Sequence, residues 1–267
     1  MKTPLEYSFK FSGNSWNIVY DKDSDSIIAE IRNGETRKVW FISICLKEKQ
    51  VCWEYFPVGE TWWLGLTATG QGKVFLHKYK NPQFPETQGI VVLDIYSGNL
   101  LWKSQGFTFY KLIGDTLIAT DASKTSPAFV YLDPSTGTIE KEVEETDFLG
   151  TATPLVEERV LAPSVYKEGD AYFSETKAFL VTMNKKPVRI IEYLEMGKVL
   201  VLSFYEEKEP HIENVLMLLD KKSGVVIWET IIQKEVEGIG FGTFFAIKES
   251  ILFVRDKKEI VILEVSS

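Results

Sequence analysis

Residues able to do chemistry are few in this chain, and their spacing is poor. His77 lies in V-F-L-H-K-Y and His211 in E-E-K-E-P-H-I-E-N, and these are the only two histidines. No H-x-H, H-E-x-x-H or C-x-x-C spacing accompanies them, so the pattern offers no zinc site. His77 is expected near the end of a strand and His211 in a charged hairpin loop. The run D-K-D-S-D at Asp21 to Asp25 has the acidic look of a calcium loop but lacks the glycine and the distal glutamate, so a hairpin turn is expected there. G-I-G-F-G at Gly238 to Gly242 precedes a strand-like segment and is expected to turn the chain rather than cradle a phosphate. No nucleophile elbow or P-loop occurs. The expectation is no catalytic residue, no metal and no cofactor.

Recognition chemistry is better represented. Aromatic residues make up 13% of the chain, with seven Trp. Ten residues stand in segments expected to connect strands: Trp16, Trp62, Trp63, His77, Tyr79, Phe84, Asp121, Tyr166, Tyr172 and Tyr205. An aromatic, partly acidic set of this kind suits a peptide, a sugar or another protein surface. Its plainer alternative is that Trp16, Trp62 and Trp63 pack between sheets.

The elements that must position these residues are strands. Short alternating runs such as Ile27 to Ile31, Val74 to Leu76, Thr116 to Ala119 and Val199 to Leu202 recur. Turn signals separate them at the spacing of an all-β fold, and no sustained helical periodicity is seen. Lys80 to Gly89 and Lys167 to Lys177 read as long hairpin loops. The loops His77 to Gly89, Ser164 to Thr176 and Tyr205 to Asn214 would carry much of the aromatic set.

A repeat organises the strands. Asp94 to Trp102 reads D-I-Y-S-G-N-L-L-W, and Asp220 to Trp228 reads D-K-K-S-G-V-V-I-W. Asp133 to Lys141 keeps the Asp, Thr136 and Gly137 but has lost the Trp, and Cys45 to Trp53 keeps only the Trp. Asp94, Asp133 and Asp220 are suited to close an Asx-type turn, while Gly98, Gly137 and Gly224 supply positive φ. Trp53, Trp102 and Trp228 then follow on an outer strand, where a ring can cover an adjoining sheet. Asp94 and Asp133 are 39 residues apart, whereas Asp133 and Asp220 are 87 apart. The long interval leaves room for an unmarked unit using Ala178 to Met183 and Val188 to Tyr193. The last unit, Thr243 to Val265, has three strands, and Leu5 to Phe11 would supply its fourth. The expected fold is therefore all-β: a single β-propeller domain over 1–267, with about six four-stranded blades, its ring closed by the N-terminal strand.

The D-x-x-[S/T]-G-x-x-x-W segments of Asp94 to Trp102 and Asp220 to Trp228 resemble the tryptophan-docking repeat of quinoprotein-type (PQQ-repeat) propellers. Quinone-dependent dehydrogenases of that family are exported and carry a vicinal disulfide and a calcium site. This chain has no adjacent cysteines, so the resemblance points to the non-catalytic branch, whose members are binding or assembly platforms. The resulting expectation is a non-enzymatic scaffold that recognises a protein, a peptide or a small ligand through its long-loop face. The alternative is a metal-dependent hydrolase or lyase of a sugar-like or lactone substrate, using carboxylates in a central channel.

Charge and cysteine content narrow the partners. A net charge of −8, a pI near 5.1 and the lack of any basic stripe disfavour a phosphate backbone, so nucleic acid is not expected. No apolar run approaches a membrane span, and the polar-interrupted N-terminus M-K-T-P-L-E-Y-S-F-K-F does not read as a secretory leader. Cys45 and Cys52 could at best form one bridge across a tight connection, and free thiols in a reducing compartment are the simpler expectation, which places the protein in the cytoplasm; a closed ring with few free edges is expected to be a monomer.

Overall fold

The structure is a computed structural model, which describes residues 3–59, 61–81, 84–124, 128–148 and 160–265. These fall into two compact units, Ser12–Leu155 and the combination of Met1–Phe11 with Val156–Ser267. The strands in chain order are β1 (Leu5–Lys10), β2 (Asn14–Asp21), β3 (Ser26–Asn33), β4 (Lys38–Cys45), β5 (Gln50–Tyr55), β6 (Leu64–Gly70), β7 (Lys73–Asn81), β8 (Phe84–Asp94), β9 (Leu100–Ser104), β10 (Phe107–Ile113), β11 (Thr116–Asp121), β12 (Phe129–Leu132) and β13 (Ile139–Val143). A 3-10 turn at Glu145–Asp147 follows. Then come β14 (Val160–Leu161), β15 (Ser164–Lys167), helix α1 (Ala171–Thr182), β16 (Pro187–Met196), β17 (Val199–Lys208), β18 (His211–Asp220), β19 (Val226–Gln233), β20 (Phe244–Ile247), β21 (Ser250–Arg255) and β22 (Glu259–Glu264).

The unit Ser12–Leu155 holds three antiparallel meanders: β2–β5, β6–β9 and β10–β13. Within this unit the facing sheets interlock through alternating residues. Ile28, Phe41 and Trp53 of the first sheet pack with Leu66, Val74 and Leu76 of the second. Phe75, Ile90 and Val92 of the second pack with Leu117, Val130 and Leu132 of the third. The third is closed by Phe148, whose ring meets Tyr110 and Phe129 edge-on. Phe41 and Phe75 are fully buried, and burial of such a side chain contributes about 1.5–3 kcal/mol.

The other unit holds two five-stranded sheets, β15–β19 and, in spatial order, β1-β22-β21-β20-β14. Val201, Leu216 and Leu218 of the fourth sheet pack with Phe244, Ile251 and Val261 of the fifth. Strand β1 pairs with β22 in register from Leu5↔Glu264 to Lys10↔Glu259, so the chain's two ends share one sheet, and β14 adds an unexpected strand at its other edge.

Several expectations are corrected. The described residues contain five sheets, two of them five-stranded where four strands were expected. Ala178 to Met183 does not form a strand: it belongs to α1 and its cap. Phe173 and Leu180 lie against Phe204, Val215 and Met217, so the helix covers an apolar face of the fourth sheet. Val188 to Tyr193 is part of the inner strand β16 of the Asp220 sheet itself. Lys80 to Gly89 is mostly strand, in β7 and β8. Tyr205 to Asn214 is a tight hairpin whose end residues face each other across the ladder. Lys167 to Lys177 is not a loop: it runs from the end of β15 through a turn at Glu168 to Asp170 into the first two turns of α1.

Cys45 and Cys52 are joined in a disulfide, with Cα atoms 5.9 Å apart. They flank the β4–β5 hairpin, which brings the two backbones to bonding distance. The inference from free thiols to a reducing compartment therefore falls away.

Candidate functional site

The candidate site is built on β2 and β6, the first strands of the first two sheets. Both strands carry a β-bulge, at Ser15/Asn17 and Leu66/Ala68. The unpaired residues at these bulges are Trp16 and Thr67. A bulge re-aims a side chain out of the pleat, and Trp16 is 71% exposed. The Arg32 guanidinium carbon sits 5.6 Å from the Trp16 ring centroid and 5.2 Å from that of Trp62, so one cation holds two indoles.

Arg32 is fixed in turn by three anchors. Its Nη1 donates to the Trp62 carbonyl at 2.7 Å and its Nη2 to the Leu64 carbonyl at 2.5 Å. Its Nε donates to Glu30 Oε1 at 2.5 Å. Glu30 is only 2% exposed and also accepts from the Leu66 amide at 2.6 Å. A buried carboxylate costs much desolvation unless it is paired and hydrogen-bonded, as this one is. Glu30 and Arg32 lie two apart on β3, hence on one face, and together they tie the first sheet to the entry of the second.

His77 lies behind this cluster. Its Nδ1 is 2.8 Å from Thr67 Oγ1, and its ring meets Tyr79 edge-on at 4.8 Å. Nε2 is buried and has no hydrogen-bond partner among the described residues. Burial, followed by the Arg32 charge, pulls its pKa down to about 4, so the ring is neutral at pH 7. Gly65 makes the room for it: a Cβ there would stand 2.6 Å from His77 Nε2. Trp63 takes part through its backbone, its carbonyl accepting from the Tyr79 amide at 2.8 Å.

The remaining candidates do not join this cluster. Asp121 closes its own turn by accepting from the Ser123 amide and hydroxyl at 2.9 and 2.6 Å, bonds that pull its carboxyl below the usual range. In the other unit, Tyr166 and Tyr172 stack at 5.4 Å, and Tyr193 lies 5.7 Å from Tyr166. Burial, with the Glu195 carboxylate that accepts from its hydroxyl at 2.5 Å, pushes Tyr193 up to about 12. Tyr205 is committed to the backbone, donating to the Gly240 carbonyl at 3.0 Å and accepting from its amide at 3.1 Å. The side chain of Phe84 lies outside the described residues.

The glycine cluster Gly238 to Gly242 does receive an anion, which the protein itself supplies. The buried Glu192 carboxylate accepts from the amides of Gly242 and Thr243 at 2.5 and 3.0 Å, and from the Thr243 hydroxyl. Ser203 donates to Thr243 at 2.7 Å, and Asn214 to Ser203 at 3.1 Å, so the Thr243 and Ser203 hydroxyls are both satisfied. Among the described residues no three His, Cys, Asp or Glu side chains are grouped to hold a metal ion. The Asp21 to Asp25 run forms the β2–β3 hairpin, with Asp21 accepting from the Ser24 amide at 2.9 Å.

The repeat residues occupy equivalent places. Asp94, Asp133 and Asp220 each accept from the amide three residues on, at 2.7, 2.9 and 2.7 Å. Hydrogen bonds within the turn, led by the Ser97 hydroxyl at Asp94, the Ser135 amide at Asp133 and the Ser223 amide at Asp220, hold their carboxyls below the usual range. Gly98, Gly137 and Gly224 have φ of 71°, 71° and 69°. Trp53 donates to the Ile95 carbonyl at 2.6 Å and Trp102 to the Pro134 carbonyl at 2.9 Å. Each ring lies where a Cβ on Gly98 or Gly137 would be. Trp228 packs 6.0 Å from Phe253.

Arg32 and Glu30 were missed at the sequence level, although S-I-I-A-E-I-R-N holds a signal: two charges, two apart, inside an otherwise apolar strand.

No curated protein matches the chain. Solved structures similar to it include BamB from Moraxella catarrhalis, at 11% identity over 93% of this chain and 84% of that one, TM-score 0.33. Another is the β-propeller domain of Cps50 (Swd1) from Myceliophteria thermophila, at 8% identity over 100% of both chains, TM-score 0.39. TolB from Acinetobacter baumannii is 12% identical over 96% of this chain and 55% of that one, TM-score 0.31. The family model that matches is described as a domain of unknown function (DUF4905), and it covers residues 20–102, from the end of β2 to Trp102 on β9.

Proposed function

We propose that the chain is a non-enzymatic binding module: a β-propeller that recognises a protein or peptide surface around Trp16. The observation that carries this reading is Trp16 itself, exposed at a bulge yet clamped by Arg32, which is anchored at three points. A large ring presented rigidly loses little entropy on binding, and such residues dominate interface energetics. The propeller reading is supported by the sequential meanders, by the Trp-to-glycine contacts between consecutive sheets, and by the pairing of β1 with β22.

The test is affinity capture on the immobilised full chain, comparing the native protein with Trp16→Ala. A partner held by the native chain should be lost, on the order of 10-fold or more in affinity, while Tm stays unchanged because the removed ring is mostly in solvent. Equal recovery by both proteins would overturn the reading.

A further inference from the structure

The first repeat has lost every residue that makes its sisters' turn, yet it makes the same turn. Cys45 stands where Asp94, Asp133 and Asp220 stand, Glu48 where Ser97, Thr136 and Ser223 do, and Lys49 where the glycines do. The Lys49 amide donates to the Cys45 carbonyl at 2.9 Å, just as Gly98, Gly137 and Gly224 donate to their aspartates' carbonyls at 2.9, 2.8 and 2.8 Å. Lys49 has φ of 55°, a left-handed conformation that costs a side-chain-bearing residue about 1 kcal/mol. In the sisters, Asp and Ser or Thr hydrogen bonds hold this conformation. Here the element spanning the turn is the Cys45–Cys52 disulfide.

Cys52 is exposed and Cys45 partly so. The residue after Cys52 is Trp53, which donates to Ile95 O and lies on Gly98 of the second sheet. We propose that Cys45–Cys52 is a reversible thiol–disulfide site that substitutes for the Asp clamp and controls the junction of the first two sheets. A dithiol reductant gives up two electrons and two protons and is converted to its own disulfide. The S–S bond breaks, Cys45 and Cys52 become thiols, and the left-handed Lys49 turn, four residues before Trp53, loses that cross-link. This goes beyond the binding reading and does not depend on it.

The test uses the full chain and needs no ligand. Protein purified without reductant and then denatured should alkylate at neither cysteine, and after dithiol treatment at both. Reduction should lower Tm by about 5 °C, the scale expected for opening so short a loop in a chain of this size. It should also speed amide exchange tenfold or more at Lys49, Trp53 and Gly98 while leaving β10–β12 unchanged. Cys45→Ala with Cys52→Ala should reproduce the reduced state. Adding the sister turn to that background (Cys45→Asp, Glu48→Ser, Lys49→Gly, Cys52→Ala) should restore the oxidised protein's Tm and make it indifferent to reductant. Free thiols in the unreduced protein would overturn the proposal, as would exchange at Gly98 that ignores reduction. A turn graft no more stable than the double alanine would overturn it as well.

Discussion

At the scale of single residues, His77 shows how the fold sets chemistry. Its ring is enclosed by Gly65, Thr67 and Tyr79, with Nε2 unpartnered among the described residues. The folded ring titrates at about 4, against 6.5 for an ordinary histidine. Between those values the unfolded chain binds a proton that the folded chain refuses. The stability contributed is therefore intact above about pH 6.5 and is lost progressively as pH falls toward 4. Because the ring is partly exposed, the loss should be about 1–2 kcal/mol, less than the full shift would convert to. Urea unfolding at pH 7 and pH 5 measures it. The native chain should lose that much more stability between the two conditions than His77→Gln does, since other titrating groups are common to both. An identical pH dependence in the two proteins would show that the ring is not held neutral.

At the scale of elements, the turns that receive a tryptophan differ from the one that does not. A Cβ on Gly98 would stand 2.7 Å from the Trp53 ring, whereas on Gly224 its nearest neighbour would be Phe179 of α1 at 4.0 Å. Gly224→Ala should therefore cost only the left-handed backbone penalty, about 1 kcal/mol. Gly98→Ala should add the displacement of a buried indole and cost about 3 kcal/mol or more. Denaturant unfolding of the two variants gives the comparison, and equal losses would mean that the indole does not brace the turn. The same turns explain what was legible in the sequence. Asp, Ser or Thr, and Gly act within five residues, so their spacing announces the turn and the strands on either side of it. Helix α1 announces little. Only Phe173 and Leu180 of A-Y-F-S-E-T-K-A-F-L-V-T are buried, Tyr172, Phe179 and Val181 are exposed, and the Asp170 side chain makes no capping bond. What holds it helical is the apolar face of the fourth sheet, a tertiary cause that no local pattern records. The site was half legible for the same reason. Trp16 and Trp62 stand out as aromatics near strand entries, whereas Arg32 acquires its role from carbonyls 30 and 32 residues away.

At the scale of the whole chain, the ends matter most. Strand β1 completes the fifth sheet, and its ladder to β22 is reinforced where Arg255 reaches Glu6 at 2.8 Å and Glu259 at 3.1 Å. The Phe11 amide extends the pairing to the Lys258 carbonyl at 2.9 Å. Because β1 is separated by the whole intervening chain from its partner, its docking carries a loop-closure cost that a hairpin strand does not. That cost is offset by the sheet it protects: Ile260, Val261, Ile262 and Leu263 are all fully buried, and without β1 their strand would become an open edge. The two ends should therefore behave as one cooperative unit. In native-state hydrogen exchange at low denaturant, amides of Leu5–Lys10 and Glu259–Glu264 should open with free energies within about 1 kcal/mol of each other. A chain lacking residues 1–11 should lose protection in β22 and self-associate through the exposed edge. If instead β1 exchanged as fast as an exposed loop while β22 stayed protected, the N-terminal strand would be an ornament on a sheet already stable without it.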